Sequence, residues 1–236
     1  MAEGTKRYVV VTGANKGIGF AICKQLASNG INVVLTARDE KRGLESVEKL
    51  KELDLPGHMV FHQLDVTDSA SIGSFADFIR TQYGKLDILV NNAGIPGAHV
   101  DGEALAAAGV VNIPNGWPKE ELSDVENLTE EKIEYILNEF LKDFKEGSLE
   151  TKGWPISMSA YSVSKVALNA YTRILARKYP SFCINAVCPG YVKTDINYNT
   201  GTLTPDEGAE AAVRLALLPH GSPSGLFFHR SEEKSF

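Results

Sequence analysis

The sequence predicts an α/β protein: one doubly wound parallel sheet with helices on both faces, making three layers. Three observations lead there. Short apolar, β-branched runs alternate with helix-period segments along the chain, the order that builds βαβ units. The first run, Tyr8-Val9-Val10-Val11, enters the glycine-rich stretch Thr12-Gly13-Ala14-Asn15-Lys16-Gly17-Ile18-Gly19, which opens straight into a helix-forming segment. The chain has 236 residues, 43% hydrophobic and 23% charged, the size and composition of one globular domain with a sizeable core.

A run such as Tyr8-Val9-Val10-Val11 buries on both faces of a parallel sheet. Residues 20–27 read as the following helix, stopped by Ser28-Asn29-Gly30. Glycines at the switch from strand to helix let the backbone turn tightly and approach a pyrophosphate. The helix N-terminus adds N–H groups and the positive end of its dipole. The spacing G-x-x-x-G-x-G, taken alone, describes a tight turn without a ligand equally well. Residues 31–36 are a second strand, ending at Ala37-Arg38. In a dinucleotide-binding fold this strand end faces the adenosine ribose, where an acidic residue takes the 2′-hydroxyl of NAD. Here Arg38 follows the strand and Lys16 lies in the glycine turn, and two cations suit a 2′-phosphate, hence NADPH. The plainer reading of Arg38 is a surface residue at a strand end.

Residues 39–53 read as a helix with Leu44, Val47, Leu50 and Leu53 on one stripe. Residues 58–64 are a third strand, and Asp65-Val66 at its end suits an adenine edge, although Asp65 alone reads as a turn residue. His58 and His62 belong to the strand; a pair four apart suggests metal ligation only on a helix. Asp68 caps a helix carrying Ile72, Phe75, Ile79 and Tyr83, ended by Gly84. Residues 86–90 are a fourth strand, followed by Asn91-Asn92-Ala93-Gly94, whose amides can tie neighbouring strands and whose glycine admits a cofactor. Residues 102–108 suggest a short helix, Val110-Val111-Asn112-Ile113 a brief strand stopped by Pro114, and residues 115–127 a polar loop. Residues 129–145 form an amphipathic helix with Ile133, Ile136, Leu137, Phe140, Leu141 and Phe144 on one face. A long helix over 159–179 is closed by Pro180, a strand over 182–188 follows, and residues 189–195 turn back over the site. Thr204-Pro205-Asp206-Glu207 is a helix start running to Leu218, and residues 225–229 are a last strand. No repeat or linker divides the chain, so residues 1–236 are expected to be a single domain.

Composition excludes several classes. The net charge is −6 and no basic block is present, so nucleic acid and anionic membranes are not expected partners. The three cysteines, Cys23, Cys183 and Cys188, lack metal-ligand spacing, and no metal is expected. Their odd number suits reduced thiols in the cytoplasm. Residues 1–7 are too polar for a signal peptide, and no stretch is long and apolar enough to span a bilayer.

Tyr161-Ser162-Val163-Ser164-Lys165 carries the chemistry. Tyr161 and Lys165, four apart on a helix, share a face. A phenol ordinarily holds its proton to a pH near 10. A cation about 4 Å away at an effective dielectric of about 20 is worth roughly 4 kcal/mol, or about three pKa units. That would poise Tyr161 as a general acid or base, protonating an alkoxide as hydride reaches a carbonyl. Alone, Y-x-x-x-K also describes an ordinary helix surface.

Taken together, TGANKGIG at 12–19, Asp65-Val66, NNAG at 91–94, YSVSK at 161–165 and PGYVKTD at 189–195 resemble, in order and spacing, the motifs of the short-chain dehydrogenase/reductase family. The resemblance covers nearly the whole chain and implies a Rossmann-like fold. The acidic segment at 126–147 looks like the insertion of one branch, which contains menthone and neomenthol reductases, salutaridine reductase and carbonyl reductase. A helical, lid-like insertion is thus expected at about 115–155. The resemblance implies NADPH-dependent reduction of a ketone or aldehyde, a small hydrophobic or terpenoid carbonyl, to an alcohol. It makes Tyr161 the acid and Lys165 its partner, which also holds the nicotinamide ribose. It places the cofactor against Gly13, Asn15, Lys16, Gly17, Ile18, Gly19, Arg38, Asp65, Val66, Asn91, Ala93, Gly94, Tyr161, Lys165, Pro189, Gly190, Val192 and Thr194. Branch members that reduce C=C bonds can carry Glu at the tyrosine position; Tyr161 favours C=O chemistry.

One departure stands out. The family places a catalytic serine after its fifth strand and an asparagine on the long helix before it. Only 19 residues separate Val90 from Val110, too few for that helix, and Pro114 follows the strand-like run where serine is expected. The resemblance implies that a segment is missing between Val110 or Val111 and Asn112, leaving the central fifth strand shortened or missing. Its full loss would strand backbone groups on two neighbours. Either Val110-Val111-Asn112-Ile113 fills the slot through a shortened crossover, with Ser157 or Ser159 partly replacing the serine, or the chain is an impaired, truncated isoform that binds NADPH poorly or misfolds. The rival to the reductase, from another class, is a catalytically dead dinucleotide-binding protein; a third possibility, a flavin or methyl-donor fold, is disfavoured because Tyr161 and Lys165 would then lack a purpose. The shortened helix is the family's usual dimer surface, so a monomer is expected.

Overall fold

The computed structural model describes residues 6–95, 117–124, 126–156 and 158–235. The chain separates into two compact units, one of residues 1–95 with 189–217, the other of 96–188 with 218–236.

The first unit holds a parallel four-stranded sheet: β1 (Tyr8–Val11), β2 (Asn32–Ala37), β3 (Met59–Gln63) and β4 (Ile88–Val90), in the order β3-β2-β1-β4. Side chains alternate across a strand. Val9, Val11, Val33 and Leu35 therefore enter one core with Ile22, Cys23 and Leu26 of α1 (Gly17–Ser28) and Val47 and Leu50 of α2 (Glu40–Lys51). Ala209 and Val213 of α7 (Pro205–Ala216) complete that core. Val10 and Val34 point the other way, onto Phe75 and Ile79 of α3 (Ser69–Tyr83). Both faces of β1 are thus buried, which is why its sequence is apolar throughout.

The helix starts are chemically explicit. Asp39 and Asp68 accept backbone N–H bonds at the starts of α2 and α3. Thr204 and Glu207 form a reciprocal capping box on α7. The expected stripe of α2 is corrected: Leu44 and Leu53 are each 50% exposed, and Gly43 and Ser46 join Val47 and Leu50 inside. Gly43 is demanded there because a Cβ would fall 1.9 Å from the ring of Phe61.

The second unit is a helical cluster with a small sheet. Residues 115–127 were expected as a loop, yet Trp117–Ser123 forms helix α4. Its Leu122 is buried among Ile133, Ile136 and Phe140 of α5 (Glu130–Glu146) and Val163, Ala167 and Ala170 of α6 (Ser159–Lys178). Trp154 anchors this core: its ring meets those of Trp117 and Phe140 edge-on at 5.5 and 5.3 Å, and its indole N–H donates to the buried Asp143 carboxylate at 2.8 Å. Leu141 and Phe144, expected on the inner face of α5, are exposed.

β5 (Ala186–Cys188) pairs parallel with β6 (Phe227–His229), and β6 pairs antiparallel with β7 (Glu232–Lys234). β5 is shorter than the strand expected over 182–188, and β7 was not foreseen: it is charged, exposed and defined by pairing across a tight turn at Arg230, whose φ is +55°. The described strands form two sheets, one of four strands in the first unit and one of three in the second. Val110-Val111-Asn112-Ile113, Pro114 and the helix expected at 102–108 lie outside the described residues. β4 accordingly has a described neighbour on one side only, and its Leu89 is 53% exposed, unusual for a strand of a parallel sheet.

Candidate functional site

The loops after β1, β2, β3 and β4 all leave the carboxyl ends of one parallel sheet, where ligands of doubly wound folds bind. The glycine turn after β1 is tightly built. Gly13 and Gly17 have φ of +61° and +58°, the left-handed region that a side chain disfavours. A Cβ on Gly13 would fall 2.8 Å from the Cα of Ala93, and one on Gly19 would fall 2.5 Å from the Asn92 amide nitrogen. The turn is pinned from β2 and α2: Ala14 N–H donates to the Thr36 carbonyl at 2.8 Å, and the Ser46 hydroxyl donates to the Asn15 carbonyl at 2.8 Å. Lys16 occupies the N-cap of α1 without a side-chain cap bond, and no acid sits in the first turn. An anion can therefore approach the N–H groups of Gly17, Ile18 and Gly19.

The turn after β4 is tied to the glycine turn. The Thr12 hydroxyl accepts the N–H groups of both Asn92 and Ala93, and the Asn92 side-chain amide donates to the Thr12 carbonyl at 2.9 Å. Asn91, Ala93 and Gly94 remain exposed, and nothing lies within 4 Å of a Cβ built on Gly94. The 189–195 segment folds against the same turn: the Thr194 methyl would lie 3.3 Å from a Cβ on Gly17, and Val192 is buried against Gly208. Pro189 and Gly190, half-buried, lead into it.

At the β2 and β3 ends, Arg38 is exposed, its carbonyl accepting from the Gln63 amide at 2.7 Å. Asp65 turns inward on its own loop: one carboxylate oxygen accepts both the N–H and the hydroxyl of Thr67, at 2.9 and 2.7 Å, and these bonds hold its carboxyl below the usual range. That is turn chemistry, and Val66 beside it is exposed. His62 lies among Phe75 and Phe78, a strand residue as expected.

In the second unit, Tyr161 and Lys165 do share one face of α6. The Lys165 ammonium lies over the Tyr161 ring, 5.6 Å from its centroid. The acidity expected of Tyr161 is different in this chain: burial, and then the neighbouring Cys188, push its phenol above the ordinary tyrosine range. Spacing brought the ammonium over the ring. Ser159 is the first residue of α6 and is buried; Ser157 and Pro114 lie outside the described residues.

Sequence reasoning missed Thr12, Thr36 and Ser46 as groups that fix the nucleotide turn, whereas the Asn92 amide makes the tie between neighbouring strands that was expected of the Asn91-Asn92 pair. The one available signal was a hydroxyl in an otherwise apolar, buried run. It also missed Asp195, whose carboxylate bonds the Lys16 ammonium at 2.6 Å. Among the described residues no group of three His, Cys, Asp or Glu suits a metal ion, and no helix is long and apolar enough to cross a membrane.

The chain's sequence matches the short chain dehydrogenase family over residues 7–112 and 147–203. The interruption between them, residues 113–146, overlaps the insertion expected at about 115–155. The chain is 50% identical to (+)-neomenthol dehydrogenase of Arabidopsis thaliana, with all of both chains covered. That alignment runs over 296 positions, so at least 60 of them, 296 less 236, face no residue of this chain. It is 37% identical to carbonyl reductase (NADPH) 1 of Rattus norvegicus over 92% of this chain and 94% of that one. The solved structure of salutaridine reductase from Papaver somniferum matches with a TM-score of 0.86 at 43% identity, covering 95% of this chain and 99% of that one.

Proposed function

The chain belongs to the short-chain dehydrogenase family, and we propose that it is an NADPH-dependent reductase of a small hydrophobic ketone or aldehyde, of the terpenoid kind. One observation carries the catalytic half of this reading: Tyr161 and Lys165 on one helical face, with the ammonium 5.6 Å from the ring centre. The names of the relatives, a neomenthol dehydrogenase, a salutaridine reductase and an NADPH carbonyl reductase, support the substrate class and cofactor.

The residues present fit a phosphorylated dinucleotide. Gly13 and Gly19 let the turn pack directly on Ala93 and Asn92, where a side chain would collide, and the uncapped start of α1 presents N–H groups to a pyrophosphate. Lys16 and Arg38 supply the cations a 2′-phosphate requires, with Gly94, Asn91 and Thr194 as further contacts. When bound, the nicotinamide supplies hydride. Tyr161 gives its hydroxyl proton to the substrate oxygen, and Lys165, on the same helical face, would hold the ribose. A phenol with a raised pKa is fully protonated at neutral pH, the state that reduction needs.

A second reading has its own support in the sequence: Pro114 stands where the family's serine is expected, which suits an impaired binder of NADPH. The expected helical insertion over 115–155, a cytoplasmic location and a monomeric state complete the proposal. NADPH fluorescence titration beside NADPH consumption with a cyclic ketone separates the two readings. Turnover abolished by Tyr161→Phe supports the reductase. Binding without turnover supports the impaired form, and Pro114→Ser should then restore rate.

A further inference from the structure

We propose that Asp195 sets cofactor preference: its carboxylate engages Lys16 and weakens recognition of a phosphorylated adenosine ribose. The inference rests on the NADPH reading above and concerns a residue that reading does not use.

Lys16 and Asp195 are 179 positions apart in sequence, yet Lys16 Nζ lies 2.6 Å from Asp195 Oδ2. The contact is built rather than incidental. Thr194 and Asn197 form a reciprocal capping box that fixes the short 3-10 turn Asp195–Asn197. Asn197 is buried, and its amide donates to the Val192 carbonyl at 2.8 Å. Tyr198 and Asn199 adopt left-handed φ values of 53° and 61°, so the segment doubles back on itself. Thr194, next to Asp195, lies against Gly17, next to Lys16. The loop thus delivers a carboxylate to the cation of the glycine turn.

A carboxylate on Lys16 is in the position of a competing anion. An incoming phosphate must share or displace it, and meets its negative charge as well. Arg42, which pairs with Asp39 at 3.5 Å, adds a second cation to the field around Asp195 and helps keep it ionised. Both partners of the Lys16–Asp195 pair are more than half exposed, with side-chain accessibilities of 59% and 64%. Such a pair is screened by water and is readily exchanged, so the effect is a moderate one.

The test is fluorescence titration of NADPH and NADH, with displacement by 2′,5′-ADP, on the full chain and its Asp195→Asn, Asp195→Ser, Lys16→Met and Lys16→Met/Asp195→Asn variants. Loss of the carboxylate should tighten NADPH and 2′,5′-ADP roughly 3- to 10-fold, less so in high salt, and leave NADH unchanged. The gain should largely vanish in the Lys16→Met background. Thermal melts of both Asp195 variants report whether the loop has been damaged. Weaker or unchanged NADPH binding in two folded Asp195 variants, or an equal change for NADPH and NADH, overturns the inference while leaving the cofactor reading intact. A wild-type chain that favours NADH overturns the cofactor reading itself.

Discussion

The hydroxyl of Thr12 accepts two backbone N–H groups at once, those of Asn92 at 3.0 Å and Ala93 at 2.9 Å. Thr12 ends the strand that starts the nucleotide turn, and the two amides open the turn after β4. One buried oxygen therefore holds two loops in register. Thr12→Val keeps the shape and deletes the acceptor, leaving the Ala93 N–H without this partner and the Asn92 N–H with the Val90 carbonyl alone. A loss of about 1–3 kcal/mol in urea denaturation is expected, together with weaker NADPH binding, while Thr12→Ser should recover most of both. A Thr12→Val protein as stable and as well bound as wild type would show the tie to be dispensable.

Two glycines with the same backbone sign give a matched pair. Gly13 and Gly84 both sit at positive φ, +61° and +70°, but a Cβ on Gly84 meets nothing, whereas one on Gly13 meets the backbone of Ala93. Gly84→Ala should cost only the left-handed penalty, about 1 kcal/mol, with cofactor affinity unchanged. Gly13→Ala should cost more than that in denaturation and also weaken NADPH, because Ala93 must move.

What was legible in the sequence was local. The strand-to-helix turn, the caps at Asp39, Asp68 and Thr204, and the Tyr161–Lys165 spacing all follow from residues within a few positions of each other. α4 was hidden because Trp117-Pro118 reads as a loop until Leu122 and Trp117 find their partners on α5 and around Trp154. β7 was hidden because Glu232, Glu233 and Lys234 have no apolar face, and only pairing with β6 makes them a strand. The Lys16–Asp195 contact joins residues 179 apart, beyond any local pattern. Helical spacing placed Lys165 beside Tyr161, but the rotamers and burial that set the phenol's acidity are tertiary.

The three thiols should differ in reactivity. Cys23 is fully buried in the core between β1 and α1, and burial drives its pKa far above the usual thiol range; Cys183 is exposed and Cys188 half-buried. Alkylation of the native protein, read by mass spectrometry, should label Cys183 first, Cys188 more slowly and Cys23 only after denaturation. Early labelling of Cys23 would mean that the α1 core opens readily.

The Trp154 indole donates to a carboxylate buried almost as deeply as itself, at 2.8 Å. Trp154→Phe leaves Asp143 charged and short of a donor, and also vacates space against Trp117 and Phe140. A loss of about 2–4 kcal/mol is expected in denaturation. In a double-mutant cycle with Asp143→Ala the losses should be less than additive, because the second change removes the group the first left unsatisfied. Strict additivity would deny the bond any role.

Tyr161 provides a pH test whose sign is fixed by its surroundings. Burial first, and the Cys188 thiol second, push its pKa above the ordinary tyrosine value. Reduction uses the protonated phenol, so its rate should stay level through neutral pH and fall only at strongly alkaline pH. Oxidation of the product alcohol uses the phenolate, so its rate should climb over that same alkaline range. The titration itself is read from ultraviolet difference spectra of wild type against Tyr161→Phe. In the cofactor-free protein Lys165→Met should leave that midpoint nearly where it was, because the ammonium lies over the ring, 5.6 Å from its centre, and is not among the groups that shift the phenol. Cys188→Ser should lower the midpoint slightly, since it removes the second of the two causes. A midpoint near neutrality that rises in Lys165→Met would instead show that the ammonium governs the phenol, as the spacing of the two residues alone suggests.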